Sequence, residues 1–372
     1  MTGKEILETR LKEREESGAL RILRSDDNLV DFCSNDYLGF ASEILVSGNN
    51  FKDKSRGNGS TGSRLIRGNT IKLEELETHI AAFHLAEAAL LFNSGYVANL
   101  GIFSAVPQRD DTVLYDEFAH ASIRDGIRLS NARSFSFRHN DLADLVKKSG
   151  AATGNIFVAV ESVYSMDGDE APLREISRLC IEKGWNLIVD EAHSVGIFGK
   201  DGAGLCVEAG ISDKCFARII TYGKAFGCHG AAVVGSETLR KFLINFSRPF
   251  IYTTALPPAA LDAIAGSYGL MSIADEKRNA LQALIAHFNN WKAGVPGLDF
   301  IPARASIHSV LIKGNDKVKM ASQLLHSKGL DIRPIMSPTV PEGKERLRIS
   351  LHSFNTLEEL KMLERTLEFE VN

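Results

Sequence analysis

The chain has 372 residues, of which 44% are hydrophobic and 24% are charged, with a formal net charge of −4. This length and composition are typical of a globular protein with one large domain and a smaller one. The slightly acidic balance, with no basic run, argues against a nucleic-acid-binding protein.

The cysteines and the N-terminal residues indicate in which cellular compartment the protein is expected. The five cysteines are odd in number and have no CxxC spacing, which favours reduced thiols. The N-terminal stretch MTGKEILETRLKEREESGAL is charged and lacks the apolar core of a signal peptide. No segment reaches the roughly 18 apolar residues of a membrane-spanning helix. We therefore expect a cytoplasmic protein without a membrane span.

The first predicted elements are a helix ending near Gly18, a short strand LVDFCS and the turn-rich segment NDYLGF. Helices and short strands then alternate as far as GAAVVGS. The strands, such as AALLF, NIFVAVE and NLIVDE, are almost entirely apolar. Strands of this kind are typical of a parallel sheet covered by helices on both faces. The pattern predicts an α/β fold with a large, mainly parallel sheet.

From about Pro258 the pattern changes to long helical stretches, followed by the strands SIHSVLIKG and ERLRISL with a helix after each. This texture predicts a smaller α+β domain. The predicted division is an N-terminal helix and short strand over residues 1–45, a large α/β domain over 46–260, and a C-terminal α+β domain with its connecting helix over 261–372.

Two local motifs resemble nucleotide-binding sequences. GNGSTG, from Gly57 to Gly62, has the letters GxGxxG, but the charged FKDKSR precedes it where a dinucleotide fingerprint needs a buried strand. Ser63 and Arg64 follow it where a P-loop needs Lys and then Ser or Thr. The tetrapeptide DEAH in NLIVDEAHSVG also occurs at the magnesium-binding strand end of some ATPases. Because the chain has no P-loop, we do not assign that role here. This tetrapeptide also has no obvious third and fourth metal ligand nearby, so we predict no metal site.

The segment RIITYGKAFGCHG points to a different chemistry. Lys224 follows the end of a buried strand, at the edge where α/β sheets bind ligands. Asp190 ends another strand, and His193 follows three residues later. Pyridoxal phosphate needs a lysine for its Schiff base and a carboxylate against its pyridinium nitrogen. Each residue alone is compatible with a structural role, but together they predict a site for this cofactor, with His193 beside the phenolic oxygen of the ring.

The segment FNSGYVAN predicts the site of the cofactor's phosphate. Ser94, Gly95 and Tyr96 lie between a strand and the start of a helix, where free backbone N–H groups and the helix dipole favour an anion. A plain helix N-cap explains Ser94 equally well.

Over nearly its whole length the chain resembles the α-oxoamine synthases, which are pyridoxal phosphate enzymes of fold type I. The resemblance rests on ordered motifs: SNDYLGF, GNGSTGSRLIRGN, FNSGYVANLG, YDEFAHASIRDGIRLS, ESVYSMDGDEAPL, VDEAHSVGIFGKDGAG, TYGKAFGCHGA, FIYTTALPP and SPTVPEGKERLRISL.

The resemblance implies roles for residues around the cofactor and the substrate. The ring contacts are Lys224 for the Schiff base, Asp190 for the pyridinium nitrogen, His193 and Ser165 for the phenolic oxygen, and His120 for stacking. The phosphate contacts are Ser94, Gly95, Tyr96 and Thr221, with Thr253 and Thr254 from a second subunit, which implies an obligate homodimer. The amino-acid substrate contacts are Asn35 and Arg348, with Glu161 as a further active-site carboxylate.

The family's reaction is the decarboxylative condensation of a small amino acid with an acyl thioester of coenzyme A or acyl carrier protein, which releases an α-amino ketone and carbon dioxide. Lys224, His193, Asp190 and His120 are the implied catalytic residues. The compact length and the motifs SNDYLGF and SPTVP look most like the members that join alanine to a pimeloyl group.

Met336 stands where those members often have an arginine. Arg21, Arg24 or Arg333 would then have to bind the distal acyl carboxylate, or the acyl group is a fatty acyl chain. Condensation of serine with a fatty acyl thioester, or of glycine with an acetyl thioester, therefore remains an alternative. A non-catalytic scaffold is the alternative outside enzymes, and the presence of the lysine, aspartate and histidine of the site argues against it.

Overall fold

The computed structural model describes residues 1–23, 28–47 and 58–371. Arg24, Gly57 and the segment FKDKSR lie outside the described residues. The helices are α1 (Gly3–Glu16), α2 (Phe40–Ser47), α3 (Ile71–Phe83), α4 (Gly95–Ala105), α5 (Ala121–Leu129), α6 (Leu142–Ser149), α7 (Leu173–Lys183), α8 (Leu205–Glu208), α9 (Glu237–Phe246), α10 (Arg248–Ile251), α11 (Pro258–Met271), α12 (Asp275–Lys292), α13 (Asn315–Ser327) and α14 (Leu357–Thr366). The strands are β1 (Val30–Asp31), β2 (Ala88–Phe92), β3 (Thr112–Asp116), β4 (Arg133–Phe137), β5 (Ile156–Glu161), β6 (Asn186–Asp190), β7 (Ala217–Thr221), β8 (Ala231–Gly235), β9 (Asp299–Phe300), β10 (Ile307–Leu311), β11 (Leu330–Asp331), β12 (Arg333–Ile335) and β13 (Arg346–Ser350).

The chain divides into two compact units. The first contains residues 1–34, 166–169 and 280–372, and the second contains residues 35–165 and 170–279. The domain boundaries predicted after residues 45 and 260 stay a prediction.

The second unit is built on a seven-stranded sheet in the order β2-β8-β7-β6-β5-β3-β4. Neighbouring strands from β7 to β4 are parallel, and β8 is antiparallel to both β7 and β2. Every residue of β2 and the last five of β5 are buried, which requires cover on both faces of the sheet. The predicted α/β fold with a mainly parallel sheet is confirmed.

The register brings several strand ends to one edge of this sheet. Phe92 at the end of β2 and Thr221 at the end of β7 both lie opposite Ala231 of β8. Glu161 at the end of β5 lies opposite Asp190 at the end of β6. Residues that follow these four strands are therefore held close to one another.

The first unit contains an antiparallel sheet in the order β12-β13-β10-β9 and a parallel pair, β1 with β11. Its helices and strands confirm the predicted smaller α+β part. The predicted strand LVDFCS is much shorter than expected, because the Asp31 side chain accepts backbone N–H bonds from Cys33 and Ser34, each at 2.8 Å, and turns the chain.

No helix in the described part of the chain is long and apolar enough to cross a membrane. The five cysteines are free thiols, and the sulfur atoms of Cys206 and Cys215 lie 4.0 Å apart.

Candidate active site

Lys224 lies in a tight turn between β7 and β8. The turn is closed by the Cys228 N–H, which donates to the Tyr222 carbonyl at 3.0 Å, and by the Gly227 N–H, which donates to the Lys224 carbonyl at 2.7 Å. Gly227 has φ +61°, and a Cβ there would lie 2.3 Å from the Ala41 nitrogen. Only glycine fits this close approach, so the turn holds the lysine in a defined place.

The amine of Lys224 contacts the imidazole of His193. The Nζ and Nε2 atoms are 2.7 Å apart, and only 4% of His193 is exposed. His193 belongs to the loop after β6, which is anchored by the buried carboxylate of Glu191. This carboxylate accepts the Cys206 N–H at 2.9 Å and pairs with Arg218 of β7 at 3.3 Å. The loop and the strand that precedes Lys224 are thus tied together.

Tyr37 is a member of this site that the sequence did not identify. Its phenol oxygen lies 2.7 Å from His193 Nδ1 and donates a hydrogen bond to Asn35 Oδ1 at 3.1 Å. The tyrosine is fully buried. The signal lay in the segment NDYLGF, where we predicted a turn and assigned a role to Asn35 alone.

Asp190 is held by two donors. Its Oδ1 accepts the Ala192 N–H at 3.0 Å, and its Oδ2 accepts the Asn99 side-chain amide at 2.7 Å. Asn99 also donates to Ser122 Oγ at 3.0 Å. Asn99 is a second residue that the sequence did not identify, although a buried asparagine in the otherwise apolar α4 is a usable signal.

His120 and Glu161 form a polar pair at the same sheet edge. The His120 N–H donates to Glu161 Oε1 at 2.6 Å. The pKa of Glu161 is raised to about 8, mainly by burial and also by the charge of Asp190, while Lys224 opposes the shift. Burial lowers the pKa of His120. The charge of Asp190 opposes this shift, and the charge of Lys224 adds to it. Both groups therefore lie within the electrostatic reach of Asp190 and Lys224.

The predicted phosphate site lies at the start of α4. Ser94 is the N-cap residue of this helix, and its hydroxyl accepts the Val97 N–H at 3.3 Å. This is the plain helix-capping role that the sequence also allowed. A Cβ at Gly95 would lie 2.3 Å from Thr221 Oγ1. The glycine thus leaves room at a helix N-terminus beside a hydroxyl, an arrangement that suits an anion. Tyr96 is partly exposed, with its ring centroid 6.5 Å from that of His120.

Thr253 and Thr254 lie beside this phosphate site in the same chain. Asn93, which precedes the N-cap, donates from Nδ2 to Thr253 Oγ1 at 3.1 Å and to the Thr254 carbonyl at 3.0 Å. Ser165 lies half-buried in the turn after β5. A contact of the threonines with a second subunit stays a prediction.

The predicted arginines belong to the first unit. Arg348 on β13 donates to Ser350 Oγ at 3.1 Å. Arg21 is exposed and donates to Thr339 Oγ1 at 3.1 Å, whereas Arg333 is paired with Asp331 at 2.6 Å.

The first unit also contains a second lysine beside a histidine. Lys292 Nζ lies 3.0 Å from His308 Nδ1, and burial lowers the pKa of Lys292 to about 8. Its amine lies 5.6 Å from the ring centroids of Phe288 and Phe300. Lys292 ends helix α12 instead of following a parallel strand, and it provides a rival amine against which Lys224 can be tested.

The residues of the second unit fit pyridoxal phosphate. An amine, a carboxylate held by two donors and a glycine cradle at a helix N-terminus all lie at one edge of the sheet. The individual roles of these residues stay predictions.

Comparisons with known proteins agree with this fit. The family model "Aminotransferase class I and II" matches residues 27–363. The 8-amino-7-oxononanoate synthase of Emericella nidulans is 39% identical over 91% of this chain and 88% of its own length. The enzyme of the same name from Cellvibrio japonicus is 40% identical over 87% of this chain and 82% of its own length.

Solved structures give the same result. Sphingomonas wittichii serine palmitoyltransferase superposes with a TM-score of 0.91 at 27% identity and covers 99% of this chain and 98% of its own. The 8-amino-7-oxononanoate synthase of Francisella tularensis gives a TM-score of 0.78 at 30% identity and covers 93% of this chain and 98% of its own. A serine palmitoyltransferase structure with pyridoxal phosphate bound as its internal aldimine is 26% identical, with a TM-score of 0.87. This chain belongs to the aminotransferase class I and II family and, within it, to the α-oxoamine synthases, which use pyridoxal phosphate.

Proposed function

We propose that the protein condenses L-alanine with a pimeloyl thioester, releasing carbon dioxide and the thiol carrier and forming 8-amino-7-oxononanoate, an α-amino ketone of biotin synthesis. The curated relatives named for this activity support the proposal. The observation that carries it is the 2.7 Å contact between Lys224 Nζ and His193 Nε2, at the sheet edge that Asp190 shares.

The residues of the site divide the chemistry between them. When bound, pyridoxal phosphate supplies an electron sink for negative charge at the α-carbon of the amino acid. Lys224 would hold the cofactor, and its free amine would accept the α-proton at Nζ. Asp190 would keep the ring nitrogen protonated, and His120 would stack on the ring. His193, when protonated at Nε2, donates to the oxyanion that develops on the thioester carbonyl.

Arginines suit the two carboxylates of the substrates. The resemblance gives the amino-acid carboxylate to Arg348, and a guanidinium suits this role because it pairs with a carboxylate in a planar, bidentate way. Among the arginines considered for the distal acyl carboxylate, Arg21 is the best candidate in the described residues. Arg333 is paired with the carboxylate of Asp331, whereas the exposed Arg21 donates to the neutral hydroxyl of Thr339.

A homodimer is part of the proposal. The family resemblance supports it, because it implies that Thr253 and Thr254 of a second subunit contact the phosphate. In this chain the same segment bonds to Asn93 near the phosphate site. Sedimentation of the purified protein with the cofactor bound tests this: a monomer that retains full activity would contradict it.

A serine palmitoyltransferase-like activity is the second candidate, because the TM-score of 0.91 and the uncharged Met336 favour it. The test is to incubate the protein with alanine, serine or glycine and with pimeloyl-, palmitoyl- or acetyl-coenzyme A, and to identify the products by mass spectrometry. We expect turnover with alanine and pimeloyl-coenzyme A. Turnover with serine and palmitoyl-coenzyme A alone would replace the proposal by the second candidate. If no pair of substrates gives a product, the non-catalytic scaffold is the alternative that remains.

A variant tests whether Arg21 binds the distal acyl carboxylate or only supports the folded structure. Arg21→Ala should raise KM for pimeloyl-coenzyme A but not for its uncharged monomethyl ester, since the ester lacks the distal carboxylate. Arg178→Ala removes an exposed arginine on α7 and serves as the control. An equal change of KM for acid and ester would contradict this role.

A further inference from the structure

Four side chains form a continuous line of polar contacts in the second unit. Lys224 Nζ lies 2.7 Å from His193 Nε2, and His193 Nδ1 lies 2.7 Å from the Tyr37 phenol oxygen. The phenol donates in turn to Asn35 Oδ1 at 3.1 Å. Tyr37 is fully buried and His193 nearly so. The two ring nitrogens of His193 therefore face two different partners.

The contact with Asn35 bears on the direction of these bonds. A tyrosine hydroxyl carries one hydrogen, and a bond to the asparagine oxygen, which can only accept, uses that hydrogen. With its hydrogen directed to Asn35, the phenol accepts from His193, and the proton of the neutral imidazole is then on Nδ1. In a neutral imidazole the other nitrogen has a free lone pair. Nε2, which faces Lys224, is consequently an acceptor.

We propose that Tyr37 and Asn35 are positioning residues that hold His193 in the Nδ1–H tautomer, so that Nε2 can take a proton from the Lys224 ammonium group. One N–H bond breaks at Nζ and one forms at Nε2, which leaves a neutral amine with its lone pair and an imidazolium ion. The net charge does not change. The neutral amine is the form that attacks an aldehyde, and the imidazolium is the form that donates to an oxyanion. The inference deepens the proposed function and rests on it for the identity of Lys224 as the attachment site.

The tautomer can be measured directly. The full-length protein, freed of cofactor and labelled with ¹⁵N-histidine, is studied by long-range ¹H–¹⁵N correlation, and the His193 signal is assigned by its loss in His193→Gln. We expect the neutral ring of His193 to carry its proton on Nδ1. A proton on Nε2 in the unsubstituted protein would overturn the proposal without any variant.

Two variants test the positioning roles. Asn35→Ala removes the acceptor, so the phenol is expected to turn and donate to Nδ1, and the ring proton should move to Nε2. Tyr37→Phe should abolish the preference for Nδ1–H. It should also slow the covalent attachment of added pyridoxal phosphate at Lys224, followed by absorbance, by about tenfold or more. An unchanged His193 tautomer in both variants would overturn the proposal.

The chain contains a matched control. Tyr268 is also buried, and its phenol oxygen lies 2.9 Å from His84 Nε2 and 3.1 Å from the Tyr222 hydroxyl. Tyr268→Phe removes an equivalent phenol–imidazole bond, and it should leave the His193 tautomer and the attachment rate unchanged. Changes as large as those of Tyr37→Phe would mean that both variants act through general loosening of the core. If the tautomer is as expected and pyridoxal phosphate attaches at Lys224, but no α-amino ketone is formed from any substrate pair, the proposed reaction fails and this inference stands.

Discussion

Asn99 donates a hydrogen bond to Asp190 Oδ2 at 2.7 Å, although the two residues are 91 positions apart in the chain. The amide fixes one oxygen of the carboxylate, while the Ala192 N–H fixes the other. The orientation of the carboxylate that we propose for the cofactor's ring nitrogen is therefore set by α4, on which only phosphate contacts were predicted.

Asn99→Ala should disturb this orientation. Hydrogen bonds to charged groups contribute about 1.5–3 kcal/mol, so we expect a loss of this size in the free energy of unfolding, measured with urea. A comparable loss in the transition state would lower kcat by about ten- to hundredfold. Asn245→Ala on the exposed side of α9 is the control. A kcat equal to that of the unsubstituted protein would remove Asn99 from the site.

Gly95→Ala tests the phosphate cradle. The added Cβ would lie 2.3 Å from Thr221 Oγ1, and overpacking of this kind costs about 1–3 kcal/mol. We expect the Kd for pyridoxal phosphate to rise about ten- to hundredfold, as measured by absorbance titration. Gly266→Ala in α11 has no atom within 4 Å of its new Cβ and should bind the cofactor normally. Equal affinities for the two variants would show that the cradle does not hold the phosphate.

Glu161 should make stability depend on pH. Its pKa is raised from 4.5 to about 8 in the folded protein, chiefly by burial, so the folded state retains a proton that the unfolded state has released. The stabilisation is complete below about pH 4.5 and is lost as the pH rises through about 8. The free energy of unfolding without cofactor should therefore fall across this window, relative to that of Glu161→Gln, whose amide does not titrate. Parallel pH profiles for the two proteins would contradict the raised pKa.

The buried pair of Glu191 and Arg218 should contribute strongly to the stability of the site. Arg218→Met leaves the Glu191 carboxylate uncompensated in the core, and we expect a loss of about 3–5 kcal/mol. The double variant with Glu191→Gln should be more stable than Arg218→Met alone, because the charge is gone while the acceptor for the Cys206 N–H remains. Lys4→Met breaks an exposed ion pair and should cost about 1 kcal/mol or less. If the stability losses of Arg218→Met and Glu191→Gln, each measured alone, simply add up in the double variant, the two residues are not coupled and the prediction is contradicted.

The fold and part of the site could be predicted from local sequence patterns. Apolar strands alternating with helices predict a parallel sheet, and the carboxyl ends of its strands place Lys224 and Asp190 at one edge. Tyr37 and Asn99 escaped prediction because their partners are 156 and 91 positions away. A side-chain hydrogen bond across the fold has no periodic signature, so only the tertiary structure shows it.

Short elements were also beyond local prediction. The strand predicted for LVDFCS is reduced to two residues because a side chain, that of Asp31, competes for the backbone N–H groups. Asp, Asn, Ser and Thr form such local bonds in many conformations, and neighbouring structure decides which one is adopted.

The central claim is that Lys224 is the lysine that attaches pyridoxal phosphate. The direct measurement is to reduce the protein with borohydride after adding the cofactor, digest it, and locate the modified lysine by mass spectrometry. We expect the pyridoxyl group on Lys224, no modification in Lys224→Ala, and a folded but inactive variant by circular dichroism and turnover. A pyridoxyl group on Lys292 instead, the half-buried lysine beside His308, or substantial turnover by Lys224→Ala, would contradict the account.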